Sequence, residues 1–85
     1  MNTIYGPSFL RDYQSLPAEI QRRVDKQIRL LLENPRHQSL RARKMEGYPG
    51  IYEARITQHY RLTYTIAGDT CHLRRIGTHD VLKTP

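Results

Sequence analysis

The chain has 85 residues, enough for one small domain with a modest core, and no stretch has the composition of a dividing linker. We therefore expect a single domain over residues 1–85. The chain carries 14 lysines and arginines against 8 acidic residues, a formal net charge of +6. This balance favours a polyanionic partner, with nucleic acid as the first candidate, although a small basic protein also stays soluble in this way.

Cysteine usage and hydropathy exclude several other classes of protein. Cys71 is the only cysteine, so an intrachain disulfide is impossible and no thiolate pair is available for zinc. The histidines lack metal-ligand spacing, and we expect neither a metal nor another cofactor. The first residues do not resemble a secretory signal, and no segment is apolar enough to span a bilayer. The expected location is the cytoplasm, with no membrane partner.

The first half of the chain predicts a short strand and two helices. Asn2–Tyr5 suits the strand, and Ser8 is the expected N-cap of a brief first helix. Pro17 fits the first turn of a second helix, in which apolar residues recur at helical spacing until residues 34–35 stop it. The two helices are expected to form a hairpin that covers one face of a sheet. The other face of the second helix carries basic residues interpreted as a solvated surface: Arg22, Arg23, Lys26 and Arg29.

The second half of the chain predicts an antiparallel meander after a glycine- and proline-containing loop at 47–50. Alternation of apolar and polar residues predicts three strands, at 52–57, 60–66 and 70–76. The alternation blurs at Arg74 and Arg75, which indicates a β-bulge. A helix hairpin packed on such a meander is an α+β fold.

Two arginines and one histidine stand out in the meander. Arg55 and Arg61 bracket the predicted hairpin turn and leave their strands on the face opposite the apolar side chains. The end of the third strand is expected to bring His79 to the rim of that face. Two fixed positive charges can hold a phosphate and its extra transition-state charge, while a histidine can move a proton near neutral pH. The combination suits phosphodiester cleavage without a metal.

The same segments resemble the RelE/YoeB branch of toxins from bacterial type II toxin–antitoxin modules, which are mRNA endonucleases. Residues 44–52 are similar to the family's lead-in to its first meander strand, and residues 55–64 to the YoeB-type hairpin with its arginine spacing. Residues 75–79 are similar to the YafQ-type ending. The resemblance covers most of the chain and implies a RelE-like fold.

The resemblance implies cleavage of mRNA by a ribose 2′-hydroxyl, which attacks the adjacent phosphate and leaves a cyclic phosphate and a 5′-hydroxyl. Arg55 and Arg61 match family residues that contact the scissile phosphate, and His79 matches a general acid. Glu53 stands where RelE-type members have lysine. It is either the general base or an ion-pair partner of Arg55 or Arg61 with no chemical part. The chain also lacks the terminal aromatic residue of several members and a counterpart of the YoeB glutamate base.

Further basic residues would supply an electrostatic bed for RNA: Arg41, Arg43, Lys44, Arg74, Arg75 and Lys83. Tyr48 either stacks on a base or covers the edge of the core. The implied partners are mRNA, the A site of the ribosome and a co-expressed RelB-like antitoxin that wraps the helix hairpin and the basic groove.

Two other functions stay open on the same fold. A ParE-like relative would be a non-enzymatic inhibitor that binds DNA gyrase and lacks the catalytic set, and the presence of Arg55, Arg61 and His79 argues against it. A toxin with weakened catalysis would remain as a plain RNA-binding or antitoxin-binding module. Glu53 and the missing terminal aromatic make that second alternative credible.

Overall fold

Two helices pack on one face of a five-stranded sheet in the computed structural model, which describes all 85 residues. The elements in chain order are β1 (Asn2–Tyr5), α1 (Pro7–Gln14), α2 (Ala18–Glu33), β2 (Arg43–Lys44), β3 (Tyr52–Arg55), β4 (Tyr60–Ala67) and β5 (Thr70–Thr78). Short 3₁₀ helices cover Gln38–Leu40 and His79–Lys83. Neither α-helix combines the length and apolar character needed to cross a bilayer.

The sheet order is β1-β5-β4-β3-β2. Strands β3, β4 and β5 form the antiparallel meander that the alternation predicts, and a register shift leaves Arg74 as the bulged residue. Strand β1 pairs with β5 in the parallel direction, so the complete sheet is mixed. The expected α+β fold is confirmed, with one parallel edge added to the meander.

The core lies between the helices and one face of the sheet. Phe9 of α1 and the α2 residues Val24 and Leu31 are almost fully buried against sheet residues such as Leu62 and Leu73. Their spacing gives α2 one apolar face, and burial of that face supplies most of the stability of the helix. The sheet face away from the helices is thus left for polar residues.

Two predicted helix starts differ from the structure. Helix α1 begins at Pro7 with Gly6 as its N-cap, and the Ser8 hydroxyl accepts a bond from Arg11 instead of capping the helix. The backbone N–H of Gly6 donates to Leu73, so the chain leaves β1 and turns directly into a helix whose first residue is proline. Helix α2 begins one residue later than expected, because Pro17 is its N-cap.

Residues 79–85 fold back over the sheet face opposite the helices, which the alternation pattern alone did not reveal. Val81 is 7% exposed, and a side-chain carbon added to Gly77 would lie 2.7 Å from it. The Thr63 hydroxyl donates to the carbonyl of Pro85 at 3.2 Å. This segment covers one part of the face and leaves the part beside the β3–β4 turn open.

Candidate functional site

A cleft of charged side chains occupies the open part of that sheet face. Its volume is about 210 Å³, and no apolar residue lines it. The lining consists of Arg41, Arg43, Glu53, Arg55 and Arg61, a net charge of +3. A concave site of this charge and polarity is suited to an anion that presents several oxygens.

The β3–β4 hairpin places two of these arginines side by side. Arg55 and Arg61 are direct partners across the antiparallel pair, as the alternation around the turn predicts. Like charges at this spacing repel each other, and neither arginine has an ion-pair partner. The pair is therefore a two-guanidinium site whose charge is not cancelled within the chain.

Hydrogen bonds fix the position of Arg61. Its Nη1 donates to the backbone carbonyls of Thr57 at 2.7 Å, Gln58 at 3.1 Å and Tyr60 at 3.0 Å, and so ties the guanidinium to the hairpin loop. Burial lowers the pKa of Arg61, and the positive charge of Arg55 lowers it further. Arginine still keeps its proton under such conditions, so the site retains a fixed and preorganised charge.

Glu53 lies at the wall of the cleft and is 7% exposed. Its Oε1 is 3.4 Å from Nε of Arg43, its direct partner on β2. The ion pair is thus made with Arg43, whereas the sequence pointed to Arg55 or Arg61. A buried carboxylate among arginines stabilises their charges, and it also presents an acceptor to a group bound in the cleft.

His79 does not line the cleft. It is exposed and begins the 3₁₀ helix that follows β5. Two residues earlier, Gly77 is the direct partner of Arg61 in the sheet. His79 therefore lies at the same end of the sheet as the arginine pair, outside the ring of cleft residues.

Arg74 and Arg75 are held away from this cleft. Nε of Arg75 donates to the Asp12 carboxylate at 2.7 Å, and this hydrogen bond raises the pKa of Arg75. Nε of Arg74 donates to the carbonyl of Pro85 at 3.1 Å. Both arginines line a separate polar cleft next to α1 and the C-terminal segment. Their contacts in the structure are to the fold itself.

The other predicted RNA-binding residues have mixed surroundings. Lys44 is exposed on β2, next in sequence to the cleft residue Arg43. The Tyr48 hydroxyl donates to the carbonyl of Lys83 at 3.0 Å, which ties the 47–50 loop to the C-terminal segment. The side chain of Lys83 is exposed and lies 3.7 Å from Asp80.

Two residues that sequence reasoning assigned to solvated surface belong beside the cleft. Arg23 and Lys26 of α2 line a neighbouring cavity that also includes Arg55. Their spacing of three residues, which puts both side chains on one helix face, was the available signal. The packing of α2 against the end of β3 could not be read from that spacing.

An apolar groove separates α1 from α2 at the opposite side of the molecule. It has a volume of about 410 Å³, and six of its eight lining residues are hydrophobic. Leu10 and Tyr5 at its edge are 46% and 49% exposed. A surface of this kind fits an apolar helix face or segment of another protein.

Comparison with known proteins places this arrangement in a family. A family model described as the ParE toxin of the type II toxin–antitoxin system, parDE, matches residues 4–81. The chain belongs to this ParE toxin family. The superfamily resemblance drawn from the meander and its arginines is thereby confirmed. The ParE-family sequence has no significant match among curated proteins.

Solved structures show that the ParE-family chain has the RelE-like fold. A YoeB/ParE toxin from Agrobacterium tumefaciens superposes with a TM-score of 0.81 at 21% identity, covering 93% of this chain and 99% of that one. RelE in the RelB–RelE complex of Methanococcus jannaschii gives 0.75 at 23% identity, with 95% of each chain covered. YafQ from E. coli gives 0.79 at 17% identity, covering 95% and 96%.

Proposed function

We propose that this toxin is an endoribonuclease that cleaves mRNA at the ribosome and arrests translation. The observation that carries the proposal is the unpaired Arg55–Arg61 couple in a cleft with a net charge of +3. Two adjacent guanidinium groups can bind a phosphodiester through several charge-assisted hydrogen bonds. The same groups stabilise the additional negative charge of the transition state.

The reaction is attack of a ribose 2′-oxygen on the neighbouring phosphorus, which forms a cyclic phosphate and breaks the bond to the 5′-oxygen. Arg61, anchored on the hairpin loop, and Arg55 hold the phosphate. Glu53, the only carboxylate in the lining, accepts the 2′ proton. His79 reaches the leaving oxygen from the rim and donates a proton to it. Arg41 and Arg43 hold the flanking backbone.

An antitoxin is the expected protein partner. The similar RelE from Methanococcus jannaschii was solved with RelB, and the similar YafQ from E. coli was solved with DinJ. We propose that a RelB-like antitoxin of this chain lays an amphipathic segment in the α1–α2 groove, where six hydrophobic residues are available. Acidic residues of the same partner would neutralise the arginine cleft.

Gyrase inhibition is the second candidate, because the matching family model is that of ParE. Under this alternative the arginine cleft would contact protein or DNA and no bond would be cleaved. The geometry favours the ribonuclease, since a fixed arginine pair beside a nearly buried carboxylate is the arrangement that in-line phosphoryl chemistry uses.

Cleavage of a translated message by Arg61→Gln and His79→Gln variants tests the proposal. We expect the parent chain to give fragments with cyclic phosphate and 5′-hydroxyl ends. Loss of one charge-stabilising donor should lower the cleavage rate by about 10²-fold or more, and loss of the proton donor by about 10²–10⁴-fold. Arg22→Gln, which removes an exposed charge outside the cleft, is the matched control and should cleave normally.

Circular dichroism and antitoxin binding establish that the variants are folded. If the message stays intact while the parent chain blocks DNA supercoiling by purified gyrase, the second candidate replaces the first. Wild-type cleavage by both variants would remove Arg61 and His79 from the mechanism.

A further inference from the structure

A second basic cavity opens where α2 meets the end of β3. It has a volume of about 350 Å³. Its lining contains three basic residues, two polar ones and one apolar one, with no carboxylate: Arg23, Lys26, Arg55, Gln27, Ser39 and Ile56. The absence of an acidic neighbour distinguishes it from the first cleft, where Glu53 offsets part of the charge.

A polar residue in the core holds this cavity in shape. Gln27 is 8% exposed, and its Nε2 donates to the backbone carbonyl of Arg55 at 2.8 Å and to that of Ser39 at 3.4 Å. These bonds join α2 to the strand that carries the arginine pair. Because Arg23 and Lys26 flank Gln27 on the same helix, their positions relative to Arg55 are set by the fold.

The two cavities share Arg55. Strand β2 pairs only with residues 52 and 53 of β3, so no neighbouring strand covers the outer edge of β3 at Arg55. The lining therefore continues from Arg61 through Arg55 to Lys26 and Arg23. None of these four residues takes part in an ion pair. The result is one basic track that runs around the edge of the sheet.

We propose that this track binds a single RNA strand, with Arg23 and Lys26 holding a backbone phosphate next to the one held by Arg55 and Arg61. This inference rests on the proposed ribonuclease function and extends it from a scissile phosphate to a longer stretch of substrate. Because the contacts are to phosphate, they add affinity for RNA of any sequence.

The chemistry of the cavity favours RNA over an acidic protein segment. A protein segment that docks in a groove gains much of its affinity from apolar anchors. The only apolar residue here is Ile56, which is 7% exposed and belongs to the core. The groove between α1 and α2 supplies such anchors and lies elsewhere. Mobile cations without apolar surface match a polyphosphate backbone.

Salt dependence of RNA binding tests the track. The ligand is a fluorescent single-stranded 2′-O-methyl RNA of about 12 nucleotides, which lacks the attacking hydroxyl and stays intact. Fluorescence anisotropy gives the slope of log K against log salt concentration for the parent chain and for R23Q/K26Q. We expect the slope to decrease by roughly 1.4, about 0.7 for each lost phosphate contact on a single strand.

The matched control is R11Q/R22Q, which removes the same charge from exposed residues of the two helices that line neither cavity. Its slope should equal that of the parent. A dinucleotide, which is long enough for the first cleft alone, should bind both double variants and the parent equally well.

Two results would overturn the track. The first is an equal decrease of slope in both double variants, which would show only a general field. The second is an unchanged RNA slope in R23Q/K26Q together with weaker binding of a polyglutamate peptide, which would assign the cavity to an acidic protein segment. Either result leaves the arginine pair and the ribonuclease proposal in place. RNA binding with the expected slopes but without cleavage of ordinary RNA would overturn the ribonuclease proposal alone.

Discussion

At the scale of single residues, the arginine pair combines repulsion with fixed geometry. Arg61 gives one guanidinium nitrogen to three backbone carbonyls, so its side chain is already ordered before any ligand arrives. Ordering a long side chain in advance removes an entropic cost that ligand binding would otherwise carry. The repulsion from Arg55 is relieved when an anion binds. Both effects favour binding of a phosphate over the empty site.

The Arg43–Glu53 pair separates a structural role of the carboxylate from a chemical one. Glu53→Gln should lower the free energy of unfolding by about 1–3 kcal/mol, because four arginines lose a buried counter-charge. Arg43→Gln should cost at most about 1 kcal/mol, since that side chain is 73% exposed. Urea denaturation of both single variants and the double variant gives the coupling energy.

Cleavage assays on the same variants complete this prediction. If Glu53 is the base, Glu53→Gln loses cleavage by far more than its stability loss explains, while Arg43→Gln keeps most of it. Full activity of a folded Glu53→Gln protein would leave the carboxylate with a structural role only.

At the scale of elements, α1 closes the part of the β5 edge that β1 does not reach. Strand β1 pairs with residues 70–73 of β5. Beyond them, the Asp12 carboxylate accepts a bond from the backbone N–H of Ile76 at 3.1 Å and pairs with Arg75 at 2.7 Å. One helix side chain thus satisfies an edge donor and a half-buried cation, and an unprotected stretch of strand edge is avoided.

Asp12→Asn should therefore destabilise the fold by about 1.5–3 kcal/mol, the usual range for hydrogen bonds that involve a charged group. The substitution keeps the shape of the side chain and removes its charge. Thermal unfolding would show the loss as a lower melting temperature. Glu33→Gln, at the exposed end of α2 and without an ion pair, is the control and should melt like the parent. Equal melting of Asp12→Asn and the parent would show that the clamp contributes nothing.

At the scale of the whole molecule, burial in the core predicts a loss of stability at high pH. Burial raises the pKa of the Cys71 thiol from 9.0 to about 11 and that of the Tyr64 hydroxyl from 10.0 to about 12. Both groups stay neutral longer in the folded state than in the unfolded state. Their contribution to stability is complete below pH 9 and is lost as the pH rises through the folded values.

For Cys71 alone, the shift corresponds to about 3 kcal/mol between pH 9 and 11. Urea denaturation at a series of pH values should show this decline in the parent chain. Cys71→Ala removes the thiol and should flatten the decline in that window, while the Tyr64 contribution persists to higher pH. A parent chain whose stability is constant from pH 9 to 12 would contradict the prediction.

Most of the architecture could be predicted from periodicity. Helical spacing of apolar residues located α2, and strand alternation located the meander and the register of Arg55 opposite Arg61. The Ser8 cap was wrong because the chain enters α1 directly from β1, where a long-range bond from Gly6 to Leu73 fixes the helix start. Local sequence carries no record of that bond.

The site was predictable in part for the same reason. Neighbours along one hairpin follow from alternation, so Arg55 and Arg61 could be paired in advance. The partners of Arg75 and Glu53 could not, because Asp12 lies 63 positions from Arg75 and Arg43 arrives on a strand of two residues. The closeness of Arg23 and Lys26 to Arg55 likewise depends on how one helix packs on the sheet.

The pairing of β1 with β5 has a consequence for the order in which a newly made chain can fold. Residues 2–5 bond to residues 70–73, so the first strand waits through most of synthesis before its partner exists. Pairings this distant in sequence are slow, and domains complete them only when the late segment has emerged from the exit tunnel. The arginine pair of a nascent chain therefore has no finished scaffold behind it, and a translating ribosome is not exposed to an assembled toxin made from an incomplete copy.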